Sequence, residues 1–119
     1  MHELTVEEII AVHDRRLAGT PDDTRLISEP NLHQLAFRAN REPEIFRRTA
    51  LVIFSLVAYP AFRDGNKRTA IALAAEILEE VGYRFDGRDP ALAKLLSGIA
   101  AFTTEQEDIE AWLRKNMSR

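Results

Sequence analysis

Two apolar runs of helical period stand on either side of a short break, and this pairing constrains the fold more than anything else in the chain. The first, from Phe46 to Tyr59, carries Phe46, Leu51, Ile53, Phe54 and Val57, and the second carries Ile71, Leu73, Ile77, Leu78 and Val81. Apolar spacing of this kind predicts core-facing α-helices. Pro60 breaks the first helix, because its ring clashes with a helical backbone and it brings no N–H, and Gly65 frees the turn that follows. The result is a central helix-loop-helix. Strand alternation is sustained nowhere, so the fold class is all-α.

The remaining punctuation extends this reading to a compact bundle of about six helices. Thr5-Val6-Glu7-Glu8 resembles a capping box, and Ile9, Ile10, His13 and Leu17 follow it on one face, giving a first helix that ends near Ala18-Gly19. The turn formers Thr20-Pro21-Asp22-Asp23-Thr24 predict a surface loop reaching about Glu29. Pro30 fits the first turn of helix two, with Leu32, Leu35, Ala36 and Ala39, and Pro43 is read as opening helix three in the same way. Helix four runs from the break to Gly82, a C′ residue, and Arg84 and Phe85 pass on in extended form. Asp89-Pro90 opens helix five, which carries Leu92, Leu95, Leu96 and Ile99. Thr104 with Glu107 reads as a second capping box, opening helix six through Ile109, Trp112 and Leu113.

A chain of 119 residues can bury one sizeable core and is too short for two ordinary ones, so residues 1–119 read as a single domain. The absence of cysteine excludes a disulfide scaffold, a thiolate metal site and a cysteine nucleophile, and fits a cytoplasmic protein. No apolar run is long enough to span a bilayer, and Met1-His2-Glu3-Leu4 lacks the basic start of a signal peptide, so no membrane partner is expected. A net charge of −3 and a pI near 5.6 disfavour a broad nucleic-acid-binding surface. The local cluster Arg63, Lys67 and Arg68 suits a small anion instead.

The break itself carries the chemistry. Asp64-Gly65-Asn66-Lys67-Arg68-Thr69 places two cations, an amide and a hydroxyl at the start of helix four, where unpaired N–H groups and the positive end of the macrodipole favour anions. Asp64 would repel a phosphate unless a divalent cation bridges the two, and Mg²⁺ is commonly held by one carboxylate plus phosphate oxygens. The expected ligand is a Mg-nucleotide, with Gly65, Asn66, Lys67, Arg68 and Thr69 as the phosphate-binding set and Asp64 as the metal ligand.

Phe62-Arg63-Asp64-Gly65-Asn66-Lys67-Arg68-Thr69 resembles the motif of the Fic/Doc family, in particular its death-on-curing branch, which reads His-x-Phe-x-Asp-(Ala/Gly)-Asn-Lys-Arg. The likeness extends more weakly over nearly the whole chain, through Leu4 to Ile10, Ile27 to Ala36, Val81-Gly82-Tyr83 and Ala111-Trp112-Leu113. One position departs from it: the motif histidine, the family's general base, falls on Pro60. The resemblance implies a Fic/Doc-like bundle that binds Mg-ATP, with Asp64, Lys67 and Arg68 as catalytic residues, Phe62 as a buried anchor, and Gly65, Asn66 and Lys67 lining an anion hole. Lys67 stands where adenylyl-transferring relatives usually have a second glycine. That difference implies transfer of the terminal phosphate to a hydroxyl of a protein target, in relatives a translation elongation factor, ahead of AMP transfer. The implied partner is a separate antitoxin chain, because no Ser/Thr-x-x-x-Glu-Gly/Asn inhibitory pattern is present. Loss of the histidine implies either a slowed toxin component or an inactive member of the fold that acts by binding an antitoxin or another protein.

Other conspicuous residues read as structural. His13 shares a face with Ile9, Ile10 and Leu17 and is expected to be a hydrogen-bonded core histidine, not a replacement base. Three scattered histidines offer no metal-ligand spacing. Trp112 belongs to the core by spacing, and Glu76, Glu79 and Glu80 to a solvated face. Arg47-Arg48 could meet acidic segments of a partner, and the Thr20–Glu29 loop is expected near the mouth of the site.

Overall fold

The helix from Ile45 to Ala58 has no solvent face over most of its length. Arg48, Thr49, Ala50, Leu51, Val52, Ile53, Ser55 and Leu56 are all buried, a run too continuous for a helix that lies on a surface. In the computed structural model, which describes residues 2–119, the rest of the chain wraps around this helix. The element order is α1 (Val6–Leu17), α2 (Glu29–Asn40), α3 (Ile45–Ala58), α4 (Asn66–Glu80), α5 (Pro90–Ala100) and α6 (Gln106–Asn116). α3 packs against α2, α4, α5 and α6, while α1 covers α2 and α4. The six helices form an all-α bundle with α3 and α4 as its central pair. No strand forms among the described residues. Two isolated antiparallel bridges, Leu26 with Phe62 and Arg84 with Ser118, pin the longer connections.

Small residues bring the central pair together. Ala50 on α3 and Ala70 and Ala74 on α4 are fully buried, so the backbones approach closely, and Ile53, Leu56, Leu73 and Leu78 fill the layers around them. Leu92 and Leu96 of α5 and Ile109 and Leu113 of α6 close the same core from the other side, with Trp112 half-buried against it.

Most helix starts lie where the local chemistry puts them. Thr5 Oγ1 accepts from the Glu8 N–H at 3.1 Å, Ser28 Oγ from that of Asn31 at 3.4 Å, and Asp89 Oδ1 from that of Ala91 at 2.9 Å. Two starts differ from the sequence reading. α3 opens at Glu44, not Pro43, because the Glu44 carboxylate accepts from the Arg47 N–H at 2.7 Å and leaves the proline outside the helix. α6 is capped by Glu105 and Asp108, whose carboxylate accepts from the Glu105 N–H at 2.8 Å, and not by Thr104 and Glu107. Thr104 is committed to the end of α5: it is buried, and its N–H donates to the Gly98 carbonyl at 3.2 Å.

Arg48 is a further correction. It is 6% exposed and donates to the His2 carbonyl at 2.8 Å and to Asn40 Oδ1 at 3.3 Å, so it anchors the N-terminal segment inside the fold and is not free to meet a partner.

Candidate functional site

The turn between α3 and α4 is held by three side chains, one of them from α1. The first is Phe62, fully buried, whose ring stacks on His13 of α1 at 3.6 Å between centroids and 7° between planes. The second is His13 itself, whose Nε2–H donates to the Asp64 carbonyl at 2.7 Å. Its Nδ1 has no hydrogen-bond partner, since the Asp14 carboxylate is 3.6 Å away. His13 is therefore the buried positioning residue that its place among Ile9, Ile10 and Leu17 suggests. The third is Asn66: its Oδ1 accepts from the N–H groups of Ala61 and Phe62 at 3.3 and 3.2 Å, and its Nδ2 donates to the Phe62 carbonyl at 2.8 Å. The Asn66 side chain is thus committed to closing the loop.

Gly65 supplies what no other residue can at the turn. Its φ is 83°, in the left-handed region, and a Cβ there would lie 2.5 Å from Leu17 Cδ1. Because Gly65 brings no capping side chain, the N–H groups of Asn66, Lys67 and Arg68 have no acceptor among the described residues. They open into a groove of about 380 Å³ lined by Val57, Pro60, Arg63, Asp64, Gly65, Asn66, Lys67, Arg68 and Ala100. Lys67 and Arg63 are exposed along it and Arg68 is half-buried. Thr69 lies beneath, fully buried, with its hydroxyl unpartnered. The lining combines three cations and a helix N-terminus with the apolar surfaces of Val57, Pro60 and Ala100. It can hold an anion that carries an apolar body.

The loop after α1 reaches into this site. Asp22 pairs with Arg68 at 2.8 Å, and the Asp23 N–H donates to Asp64 Oδ2 at 2.9 Å. The Arg68 guanidinium, hydrogen-bonded to Asp22, holds that carboxyl below its ordinary range, and the Arg25 side chain does the same for Asp23. The Arg63 N–H donates to the Arg25 carbonyl at 2.8 Å, so the loop runs beside the motif as a short antiparallel ribbon. The turn formers in residues 20–24 announce a loop but not its destination. Nothing in their local spacing shows that Asp22 meets a motif arginine.

Asp64 is the one acid placed to hold a cation in the groove. It is half-buried, Oδ2 is engaged by the Asp23 N–H, and Oδ1 has no partner among the described residues. Those residues contain no group of three His, Asp or Glu side chains able to hold a metal by themselves. The donor set therefore fits a hard cation that takes one carboxylate oxygen and fills its remaining positions from phosphate and water.

Among curated proteins none matches the chain. A family model described as the Fic/DOC family matches residues 3–78, which takes in α1, α2, α3 and nearly all of α4, together with the turn that carries Asp64 to Arg68. With most of its length matched, and with the turn built as described, the chain belongs to the Fic/DOC family, whose members transfer phosphate or AMP to proteins.

Proposed function

We propose that the chain is a toxin component of the death-on-curing branch, acting in the cytoplasm, which binds Mg-ATP in the groove at the start of α4 and transfers the terminal phosphate to a hydroxyl of a protein target. The observation that carries this reading is the convergence of three unpaired N–H groups with Arg63, Lys67 and Arg68 beside the free oxygen of Asp64. The N–H groups of Asn66, Lys67 and Arg68 would receive the phosphates, and Asp64 would hold Mg²⁺, which would supply neutralisation of phosphate charge. Arg68 exchanges Asp22 for phosphate. Lys67 adds charge and bulk where a glycine would leave room, so the terminal phosphate points toward the target.

In the transfer, the target hydroxyl oxygen bonds to the γ-phosphorus, the bond from that phosphorus to the bridging β-oxygen breaks, and ADP leaves. The hydroxyl proton goes to solvent, because Pro60 occupies the motif histidine position and offers no base. Phosphoryl transfer leans on positioning and charge more than on early proton removal, so the step is slowed and not abolished. Pro60 is also the observation that favours a second reading: a catalytically inactive member of the fold that keeps the groove and acts by binding an antitoxin chain or another protein.

Calorimetric titration with Mg-ATP tests the site. Asp64→Ala and Arg68→Ala are each expected to weaken binding by roughly tenfold or more, one losing the metal ligand and the other a charge-assisted phosphate contact. Unchanged affinity in both variants overturns the assignment.

A further inference from the structure

The seam between α2 and α3 opens, toward the C-terminal end of α3, into a pocket of about 310 Å³. Asn31, Gln34, Leu35 and Arg38 line it from one face of α2, and Ser55 of α3 and Tyr59, the residue that ends that helix, line it from the other side. It shares no lining residue with the groove at the start of α4. The two are separate cavities.

Ser55 is 5% exposed, and its hydroxyl has no hydrogen-bond partner among the described residues. A serine or threonine inside a helix can satisfy its hydroxyl on the carbonyl one turn back, and Thr49 of the same helix does so, donating to the Ile45 carbonyl at 2.8 Å. Ser55 does not. A buried hydroxyl without a partner is costly, so one retained on the wall of a cavity points to a polar group that enters the cavity. Arg38 says what charge that group carries. Its guanidinium takes part in none of the ion pairs among the described residues, and no acid lines the pocket.

We propose that this pocket is a second binding site, for a small carboxylic acid with a flat body. One cation beside neutral donors suits a single negative charge, and the planar fork of a guanidinium matches a carboxylate. A phosphate dianion would call for several cations, such as those at the start of α4. The Ser55 hydroxyl donates to a carboxylate oxygen, the Gln34 amide offers a further N–H, and Leu35 and the Tyr59 ring supply apolar walls. Ligand pockets span about 300 to 1,000 Å³, so this one has room for an acid of a single ring. Asn31 holds the rim in place before a ligand arrives, because its Nδ2 donates to the carbonyls of Tyr59 and Pro60 at 3.3 and 3.2 Å. The inference does not rest on the nucleotide reading.

The experiment is an NMR titration of the ¹⁵N-labelled full chain, and of its Ser55→Ala and Arg38→Gln variants, with benzoate and with benzamide, which has the same shape and no charge. Benzoate is expected to shift the side-chain amide signals of Asn31 and Gln34 and the backbone signals of Ser55 to Tyr59, saturating with a dissociation constant of roughly a millimolar. Benzamide should bind at least about tenfold more weakly. Ser55→Ala should melt no lower than the parent, since it removes an unpartnered buried hydroxyl, yet lose roughly fivefold or more in benzoate affinity. Arg38→Gln should lose roughly tenfold or more. The absence of saturable shifts at these residues, equal affinity for benzamide, or unchanged benzoate affinity in either variant overturns the inference. Shifts confined to residues 63–68 would put benzoate in the groove at the start of α4 and overturn it as well.

Discussion

Pro60 stands exposed at the edge of the groove, next to backbone that is otherwise tightly fixed. Its own carbonyl and that of Tyr59 accept from Asn31 Nδ2 at 3.2 and 3.3 Å, so the chain direction at this point is set by α2 and does not depend on the proline ring. A histidine can therefore replace it without disturbing the turn. Pro60→His is expected to raise transfer to a protein target by about 10²- to 10⁴-fold, the usual contribution of a positioned general base. ATP labelled at the α or the γ phosphate reads the outcome, with γ label appearing on the target. Label from the α position alone would return the chain to AMP transfer. His13 offers no base to the groove. It is fully buried, and its Nε2–H is spent on the Asp64 carbonyl.

The turn and α4 behave as one unit because Asn66, the first residue of the helix, reaches back across the turn that precedes it. Its amide satisfies the N–H groups of Ala61 and Phe62 and the carbonyl of Phe62, all within buried or half-buried surroundings. Asn66→Ala leaves two donors without acceptors, a cost of about 1–3 kcal/mol. Urea denaturation should show that loss as a lower midpoint with unchanged slope, and ATP affinity should fall with it as the N–H groups of α4 lose their fixed direction. Equal stability in the variant would show that water replaces the amide and that the turn does not need it. The loop after α1 is joined to the same unit from outside, through Asp22 on Arg68, Asp23 on Asp64 and the Leu26–Phe62 bridge.

The bundle is fastened at its N-terminal end by a clasp of distant residues. His2 Nε2 lies 2.9 Å from Glu8 of α1 and its Nδ1 2.6 Å from Glu80 of α4, while Arg48 of α3 holds the His2 carbonyl. Hydrogen bonds donated by the His2 ring to Glu8 first and Glu80 second raise its pKa above the ordinary value of 6.5. A raised folded-state pKa means that the clasp stabilises fully below about pH 6.5 and is lost as pH rises through the folded value. The side chain is 56% exposed, so the effect is shallow. Melting temperature should decline gently above neutrality, and His2→Gln should remove that decline. No helix among the described residues is long and apolar enough to cross a membrane. Much of this architecture was legible in local sequence. Apolar period determined the helices, Pro60 and Gly65 determined the break, and Thr5, Pro30 and Asp89 marked where helices begin, because each of these effects acts between residues a turn or less apart. Thr104 and Glu107 have the spacing of a capping box for α6, yet Glu105 and Asp108 form it, since Thr104 is bound into the end of α5. Only the tertiary structure decided that Arg48 is buried, that Asp22 and Asp23 meet Arg68 and Asp64, and that Phe102 faces solvent at a strained turn. Those facts depend on which distant segments share a face once the core has closed, and the period of a sequence records only which of its own faces is apolar.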